Sequence, residues 1–294
     1  MCFWDVFGWS SKPRRTPQPP SNPPKPRYRA RPPISRKPRN QQVQCPLFNP
    51  SFPAELRIQV YEAALGDNER LMHVIPFDDN SNRVGRQRCK DTNSERLVWQ
   101  HECFGTLLLN GGSSRRRQFE FWADDRLLAL LLTCHRIYLE AIDILYSSNH
   151  FSLKGSRGIA AFKSVAPRFQ WEKIRHVHIS TIFLTPQISY PAYKHFPPDD
   201  YTQWPQACAI LGNLYGLRSL QFEITIKDTS ELLRAPVEWD TVKTILEPLV
   251  HISCPIFEVA MNIVVPDSVL AGFGRLPFTL TVHERQIDHL LHLL

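Results

Sequence analysis

The stretch Ile174-Arg175-His176-Val177-His178-Ile179 decides the fold, because apolar residues occupy its first, fourth and sixth positions. The same spacing returns in Leu217-Arg218-Ser219-Leu220-Gln221-Phe222 and, more loosely, in Ile256-Phe257-Glu258-Val259-Ala260-Met261. The copies start at 174, 217 and 256, and helical patterns near 202–214 and 238–250 lie between them. An alternation of strand, helix and strand predicts parallel pairing with right-handed crossovers.

The fold class expected from this repeat is α+β or irregular α/β. The copies start 43 and then 39 residues apart. This period exceeds the ~20–29 residues of ordinary leucine-rich repeats, and the asparagine that usually follows their LxL is missing. A leucine-rich-repeat-like arrangement of strand-helix-strand units nevertheless stays open. Residues 278–282 are predicted to add a strand, and residues 284–294 a final helix.

A helical segment precedes this layer and begins at Phe52-Pro53-Ala54-Glu55-Leu56-Arg57. Proline suits the first turn of a helix, where its missing N–H costs no hydrogen bond. Apolar residues then recur at helical spacing, and a Gly-Asp-Asn run at 66–68 ends the pattern. The residues on this apolar side are Leu56, Val60, Ala63 and Ala64.

The clearest helical pattern starts at Asp124-Asp125 and runs to Tyr146. Acidic residues in the first turn suit the helix dipole, and apolar residues follow with a period near 3.6. We expect one unbroken helix whose apolar side packs in the core against Leu56 and Val60, with Glu140 on a solvated side. A partner-binding face is the alternative. The apolar side includes Leu131, Cys134, Tyr138, Ile142 and Leu145.

Basic residues are concentrated in the first 45 residues, which hold ten of the 35 Lys and Arg residues and one of the 28 acidic residues. Ten prolines also lie between residues 10 and 44. Such a stretch has few apolar side chains to offset the entropy of ordering, so residues 1–44 are predicted to be disordered. A cationic tail suits an anionic partner such as nucleic acid, acidic protein or lipid headgroups. A solubilising tether is the alternative.

Residues 45–294 are expected to form a single folded domain. Within it, residues 45–153 would hold the helical part, with residues 66–123 as an inserted loop that contains a strand-like run at 71–75. Residues 154–294 would form the α/β layer. This division separates the helical segments from the repeat that decides the fold.

No motif with catalytic or cofactor-binding chemistry is present. Gly272-Phe273-Gly274 lacks the third glycine and the Lys-Ser/Thr pair of a phosphate-binding loop, and no GxSxG elbow occurs. Seven cysteines without a CxxC pair favour neither a zinc ribbon nor a thioredoxin-type motif. We therefore predict no enzyme activity, no catalytic residue and no cofactor, although a Cys/His nucleophile pair stays open.

Three pairs of residues could each offer two metal ligands. A metal site needs three or four converging groups, and imidazoles are common without a metal. The sequence therefore predicts no metal site. The pairs are His176 with His178, His101 with Cys103, and His289 with His292.

The N-terminus offers a lipidation site at Cys2, within a short apolar segment that precedes the basic tail. Palmitoylation together with the tail would supply two membrane signals, whereas a segment that docks on protein is the alternative. The start does not have the pattern of a secretory signal, and the leucine-rich run 127–132 is too short to span a bilayer. We expect a cytoplasmic or nuclear protein, with peripheral membrane attachment as the alternative.

The first helical segment resembles the start of an F-box, whose pattern is Leu-Pro-x-Glu-Leu followed by apolar residues at helical spacing. The Thr-Cys-His-Arg-Ile run at 133–137 resembles the later Val-Cys-Lys/Arg-x-Trp/Phe element of that module. An F-box is continuous, whereas these two elements stand far apart. The resemblance implies a binding site for a ubiquitin-ligase adaptor. Its residues here are Phe52, Pro53, Glu55, Leu56, Val60, Tyr61, Cys134 and Ile137.

A longer span is similar to a large group of uncharacterised filamentous-fungal proteins, a family that is a domain of unknown function. The similar segments are a PAELRxxxY start at Pro53–Tyr61, an LLxTCxxIYxEAxxxLY helix ending at Tyr146, an NxF strand at Asn149–Phe151 and a WxxIRxVxI strand at Trp171–Ile179. The resemblance implies membership and no activity.

We therefore expect a non-enzymatic protein-interaction module, with an F-box-like substrate-recruiting adaptor as its more specific form. The expected partner is a protein, and no small-molecule substrate is indicated. A tail-driven membrane-associated or nucleic-acid-binding protein is the alternative.

Overall fold

A computed structural model of the chain describes residues 45–49, 51–76, 84–93, 96–101, 103, 106–108, 118–120, 127–185, 199–228 and 238–283. The chain divides into two units, Met1–Arg39 and Asn40–Leu294, and all of these residues belong to the second unit. The predicted tail with Cys2, the predicted helix start at 124–125 and the predicted helix over 284–294 lie outside the described residues.

The described residues form helices and strands that alternate along most of the chain. The helices are α1 (Ala54–Leu65), α2 (Leu127–Thr133), α3 (His135–Ser147), α4 (Gly155–Val165), α5 (Arg168–Trp171), α6 (Trp204–Gly212), α7 (Trp239–Val250) and α8 (Asp267–Leu270). The strands are β1 (Asp67–Pro76), β2 (Val84–Arg88), β3 (Thr106–Leu108), β4 (Gln118–Glu120), β5 (Asn149–Lys154), β6 (His176–Thr185), β7 (Ser219–Asp228), β8 (Ile256–Met261) and β9 (Thr279–Val282). Short 3-10 turns lie at Pro46–Phe48, Val98–Gln100 and Ala271–Phe273.

Seven strands form one sheet in the order β2-β1-β5-β6-β7-β8-β9. The β1–β2 pair is antiparallel, and every other neighbouring pair is parallel. Strands β3 and β4 form a separate antiparallel pair. The mixed α/β fold class and the parallel pairing of the three sequence copies are therefore confirmed. Because each parallel strand lies next to its predecessor, right-handed crossovers bring the connecting helices to one face of the sheet.

The register of the three copies differs from the sequence pattern in one respect. Val177 pairs with Leu220 as the repeat predicts, but Leu220 pairs with Phe257, so the third copy is shifted by two residues. The buried residues of β8 are accordingly Phe257, Val259 and Met261, whereas Ile256 is 54% exposed.

The helices pack on the side of the sheet that carries alternate apolar residues, such as Ile179 and Phe222, and share one hydrophobic core with them. Trp204 of α6 is fully buried in this core and meets the rings of Phe183 and Phe222 edge-on at centroid distances of 5.2 and 5.7 Å. Its indole Nε1 donates to the carbonyl of Ile245 at 2.8 Å. The polar end of the largest core side chain is thus satisfied.

The other face of the sheet carries polar residues together with a few apolar ones such as Ile182 and Leu184, and part of it is covered by the described residues of 89–103, which we call the strap. Leu97 and Trp99 of the strap pack on Ile182 and Leu184 of β6. Buried polar groups of β6 and β7 also find partners in the strap, as buried polar groups must. Val98 N donates to Glu223 Oε2 at 2.8 Å, Trp99 N to Ser180 Oγ at 3.1 Å and Trp99 Nε1 to Thr225 Oγ1 at 3.2 Å.

The long helix expected up to Tyr146 is interrupted at Cys134, which corrects the prediction of one unbroken helix. Cys134 is extended, with φ −156° and ψ 160°, and its Sγ accepts a hydrogen bond from Ile137 N at 3.4 Å. The side chain thereby acts as the N-cap of α3, and α2 packs back against α3. Tyr138, expected in the core, is 37% exposed.

Two further parts of the chain differ from the prediction made from the sequence. Residues 66–123, expected as an inserted loop, contribute β1 and β2 to the sheet, because the apolar run at 71–75 pairs with β5 as well as β2. Helices α4 and α5 were not anticipated. Among the described residues, no helix is long and apolar enough to cross a membrane.

The start of α4 gives a test of the fold. Gly155 has φ +53°, and a Cβ there would collide with the Asp199 carboxylate and lie 2.9 Å from Thr181 Oγ1. Because a left-handed backbone alone costs an L-residue roughly 1–2 kcal/mol, Gly155→Ala should lower the free energy of unfolding by at least about that amount. Gly272→Ala is the control, since a Cβ at Gly272 meets nothing within 4 Å. Urea denaturation measures both, and equal midpoints would contradict the role of Gly155.

Candidate functional site

The two helical segments that carry the F-box resemblance are joined by the carboxylate of Glu140 on α3. Arg57 of α1 donates to it through Nε at 3.0 Å and Nη2 at 3.3 Å, and Tyr61 donates through its hydroxyl at 3.1 Å. Arg136, one turn earlier on α3, donates from Nε at 2.9 Å. Both carboxylate oxygens are therefore occupied by groups from within the fold.

This network holds Glu140 in its charged form. Burial raises the pKa of Glu140, but hydrogen bonds from Arg57, Arg136 and Tyr61 outweigh burial, so that the pKa is lowered overall. Burial, followed by the nearby Glu140 charge, raises the pKa of Tyr61 to about 12. The expectation that Glu140 faces solvent without a special partner is wrong, because α1 packs over this part of α3.

A second polar contact joins the ends of the same two helices. Asn149, the first residue of β5, is fully buried. Its Nδ2 donates to the carbonyl of Leu65 at 2.9 Å and to the carbonyl of Leu145 at 2.8 Å. These carbonyls belong to the last turns of α1 and α3. Carbonyls in a last turn have no hydrogen-bond partner within their own helix. One side chain thus ties α1, α3 and the sheet together.

The helices α1, α2 and α3 form what we call the α1–α3 unit, since α1 and α2 each pack against α3. Of the eight predicted partner-binding residues, some lie in the core of the protein and others lie on its surface. Tyr61 and Ile137 are buried, and Phe52 and Cys134 are half-buried. The exposed members are Pro53, Glu55, Leu56 and Val60.

One flank of the exposed surface of α1 is apolar, whereas Glu55, Gln59 and Glu62 lie elsewhere on that surface. Leu56 and Val60 are 44% and 45% exposed, and Ala63 and Ala64 on the same side are exposed as well. The expectation that Leu56 and Val60 pack against the α2 and α3 stripe is therefore wrong. The core side of α1 instead consists of Arg57, Tyr61 and Leu65, because the first two are held by Glu140.

A different group of side chains lies on the polar side of the sheet. His73, Cys89, His101 and Cys103 are all buried, and one donor atom of each lies within 4.8 Å of the other three. Cys89 Sγ is 3.3 Å from His101 Nδ1 and 3.7 Å from Cys103 Sγ. The rings of His73 and His101 meet edge-on at 5.9 Å. We call these four residues the His–Cys cluster.

The protonation of the His–Cys cluster follows from its hydrogen bonds. The hydrogen bond between Cys89 and Cys103 lowers the pKa of Cys103, and hydrogen bonds with His101 and His73 act in the same direction against the effect of burial. The same contact with Cys103, together with burial, raises the pKa of Cys89. Burial lowers the pKa of His73. Burial also acts to lower the pKa of His101, but its hydrogen bond with Cys103, together with nearby charges, outweighs burial, so that this pKa is raised overall.

Sequence reasoning found only half of this cluster. It paired His101 with Cys103 but missed His73 and Cys89. The pairing of β1 with β2 contains the missing signal. His73 is opposite Gln87, and Cys89 follows two residues later, directly after β2 and on the same face. Of the other pairs, His176 and His178 share one face of β6, with the ring of His176 stacked on that of His150 at 4.4 Å, and residues 289–292 lie outside the described residues.

A family model matches residues 40–270, and its description is "Domain of unknown function (DUF7730)". The chain belongs to the DUF7730 family. The DUF7730 match spans both the α1–α3 unit and the His–Cys cluster, so both constellations lie inside the family's domain. No curated protein and no solved structure matches the chain.

Removing the Glu140 carboxylate should destabilise the protein. Glu140→Ala would leave the guanidinium of Arg57, a residue only 8% exposed, without its partner. We expect a loss of about 2 kcal/mol in the free energy of unfolding, in the lower part of the range for hydrogen bonds to charged groups, because the Glu140 side chain is 26% exposed. Exposed Glu62 on α1 is the control, and Glu62→Ala should cost no more than about 0.5 kcal/mol. Equal losses in urea denaturation would contradict this role.

The same carboxylate should make stability depend on pH. Its folded-state pKa is below the unfolded value of about 4.3, so its contribution is complete above that pH and is lost as the pH falls through the folded-state value. The difference in unfolding free energy between wild type and Glu140→Gln should therefore shrink between about pH 6 and about pH 3. Denaturation at several pH values measures this difference. A constant difference would show that the charge is not involved.

Proposed function

We propose that this DUF7730 protein is a non-enzymatic protein-interaction module that binds a ubiquitin-ligase adaptor through the outward side of α1. The observation that carries the proposal is the exposure of Leu56 and Val60, at 44% and 45%. They lie on a helix that begins with the Pro53-x-Glu55-Leu56 pattern of an F-box. Apolar side chains in this position gain free energy when a partner covers them.

The spacing of these residues suits a helix that docks in a groove. Helices recognised in this way present apolar anchors at i, i+3 or i+4, and i+7. Leu56, Val60 and Ala63 stand at i, i+4 and i+7 on the exposed side of α1. Leu132 on α2 and Leu139 on α3 are 77% and 61% exposed, so the α1–α3 unit offers further apolar surface at its periphery.

The assembly of the α1–α3 unit also supports an F-box-like role. An F-box-like helical element needs its early and late segments side by side. Here β1 to β4 stand between them in sequence, yet Arg57 and Glu140 bring α1 directly against α3. The polar residues of the two segments hold α1 and α3 together rather than acting in catalysis, because both oxygens of Glu140 accept hydrogen bonds within the fold. This arrangement favours binding over catalysis.

We place the protein in the cytoplasm or nucleus. Its six described cysteines are all free thiols, which suits a reducing compartment. The second candidate function is binding of an anionic membrane or nucleic acid by the N-terminal segment. The charge distribution favours it, with ten basic residues and one acidic residue among the first 45. Such binding would disappear on deletion of residues 1–44, whereas adaptor binding would remain.

The adaptor hypothesis can be tested with two matched substitutions on α1. Leu56→Asp should lower the amount of purified F-box-binding adaptor recovered by the full-length protein at least about tenfold, which corresponds to 1.4 kcal/mol of binding free energy. Ile58→Asp is the control, because Ile58 is equally exposed at 43% and points about 200° around the helix from Leu56. Both sites are exposed, so both variants should keep the wild-type melting temperature.

Two results would end the adaptor hypothesis. The first is failure of the wild-type protein to recover the purified adaptor in a sensitive pull-down. The second is an equal loss of recovery for Leu56→Asp and Ile58→Asp in folded protein, since that would mean that the outward side of α1 has no special role.

A further inference from the structure

We propose that His73, Cys89, His101 and Cys103 bind one Zn²⁺ ion in a closed, tetrahedral, structural site. The proposal does not rest on adaptor binding, because none of these residues belongs to the α1–α3 unit. Each side chain is more than 90% buried, with exposures of 0%, 2%, 6% and 7%. One donor atom from each converges within 4.8 Å of the others. Two thiols and two imidazoles are a donor set that structural zinc sites use.

Two of the six donor–donor distances are close to the geometry of zinc, and the others are at most 4.8 Å. Bonds of about 2.3 Å to sulfur and about 2.0–2.1 Å to nitrogen give tetrahedral edges of about 3.8 Å between two sulfurs and about 3.6 Å between sulfur and nitrogen. The Sγ atoms of Cys89 and Cys103 are 3.7 Å apart, and Cys89 Sγ is 3.3 Å from His101 Nδ1. An ion at the centre would therefore require only small side-chain movements.

The donor set also indicates which ion and which role. Soft sulfur ligands combined with imidazole in a four-coordinate arrangement select zinc over magnesium or calcium, which prefer oxygen. Two thiolates would balance the charge of the ion, so that a neutral group is buried. Four protein donors leave no open position for water or a substrate, which distinguishes a structural from a catalytic site.

The positions of the four ligands show which parts of the chain the ion would hold together. His73 lies on β1 and Cys89 directly after β2, where Cys89 N donates to the carbonyl of Leu71 at 2.7 Å. The hairpin thus provides one half of the site on a rigid frame. His101 and Cys103 come from the far end of the strap. The ion would therefore join the two ends of the strap to each other and to β1.

This connection matters because the strap covers the polar side of the sheet. Lys154, at the end of β5, donates from Nζ to the carbonyl of Trp99 at 2.8 Å, and Glu223 accepts from Val98 N. These contacts order the middle of the strap, whereas the cluster orders its ends. Binding free energy for a metal at such a site appears as folding free energy. Zinc should therefore stabilise the strap on β6 and β7.

Metal analysis of the full-length chain tests the proposal. Wild-type protein, purified under reducing conditions, incubated with zinc sulfate and then gel-filtered, should retain about one zinc ion per chain. The double substitution Cys89→Ser with Cys103→Ser should lower that content at least about tenfold. Cys254→Ser is the matched control, because Cys254 is a free, half-buried cysteine whose Sγ donates to the carbonyl of Ile256, and it should keep the wild-type content.

Cobalt substitution of the wild-type chain keeps the test valid if the double variant does not fold. Co²⁺ should give the visible bands of a tetrahedral ion and a thiolate-to-cobalt charge-transfer band, and zinc should abolish both. A chelator should lower the melting temperature of wild type and of Cys254→Ser. Wild-type protein that retains no zinc after loading, or Co²⁺ spectra without a thiolate band, would overturn the proposal. A Cys89–Cys103 disulfide in protein kept under reducing conditions would do the same.

Discussion

The carboxylate of Glu140 is the contact on which the α1–α3 unit depends. A buried guanidinium is costly without its counter-charge, and Arg57 finds that charge on a helix 83 residues further along the chain. Together with Tyr61, this pair fixes which side of α1 faces the core. The exposed apolar side with Leu56 and Val60 is therefore a consequence of a polar contact. The surface proposed for a partner exists because a charge pair, together with the burial of Tyr61 and Leu65, sets the rotation of the helix.

The order of the strands imposes the second constraint. Parallel sheets are normally covered on both faces and are apolar on both. Here successive strands are neighbours, so the helices collect on one face, and the other face carries polar residues such as Ser180 and Glu223. Buried polar groups need partners, and backbone donors of the strap supply them. The proposed zinc ion would bind at the two ends of the strap. These ends need it most, because a short segment without its own hydrophobic core has few contacts that hold it in place.

The parts of the fold that were predictable from the sequence depend on local periodicity. Strands β6 and β7 alternate clearly, and the two helices that connect β6, β7 and β8 were recognised from their apolar spacing. The parts that failed depend on distant partners. The apolar pattern of the sequence does not show whether Leu56 or Tyr61 faces the core, because the contact with Glu140 determines the orientation of α1. Cys134 interrupts a regular helical pattern because its thiol caps a backbone N–H, which hydrophobic periodicity does not record.

The His–Cys cluster shows the same limit for a site. Its ligands lie 16, 12 and 2 residues apart, from His73 through Cys89 and His101 to Cys103, and no compact spacing motif links all four. The hairpin register brings the first two to one face, and the strap returns the last two to the same point. A site assembled in this way is visible only after the strands are paired. The cluster lies on the face of the sheet opposite the helices, so the proposed zinc site and the proposed adaptor-binding side of α1 belong to different parts of the fold. Loss of one does not in itself require loss of the other.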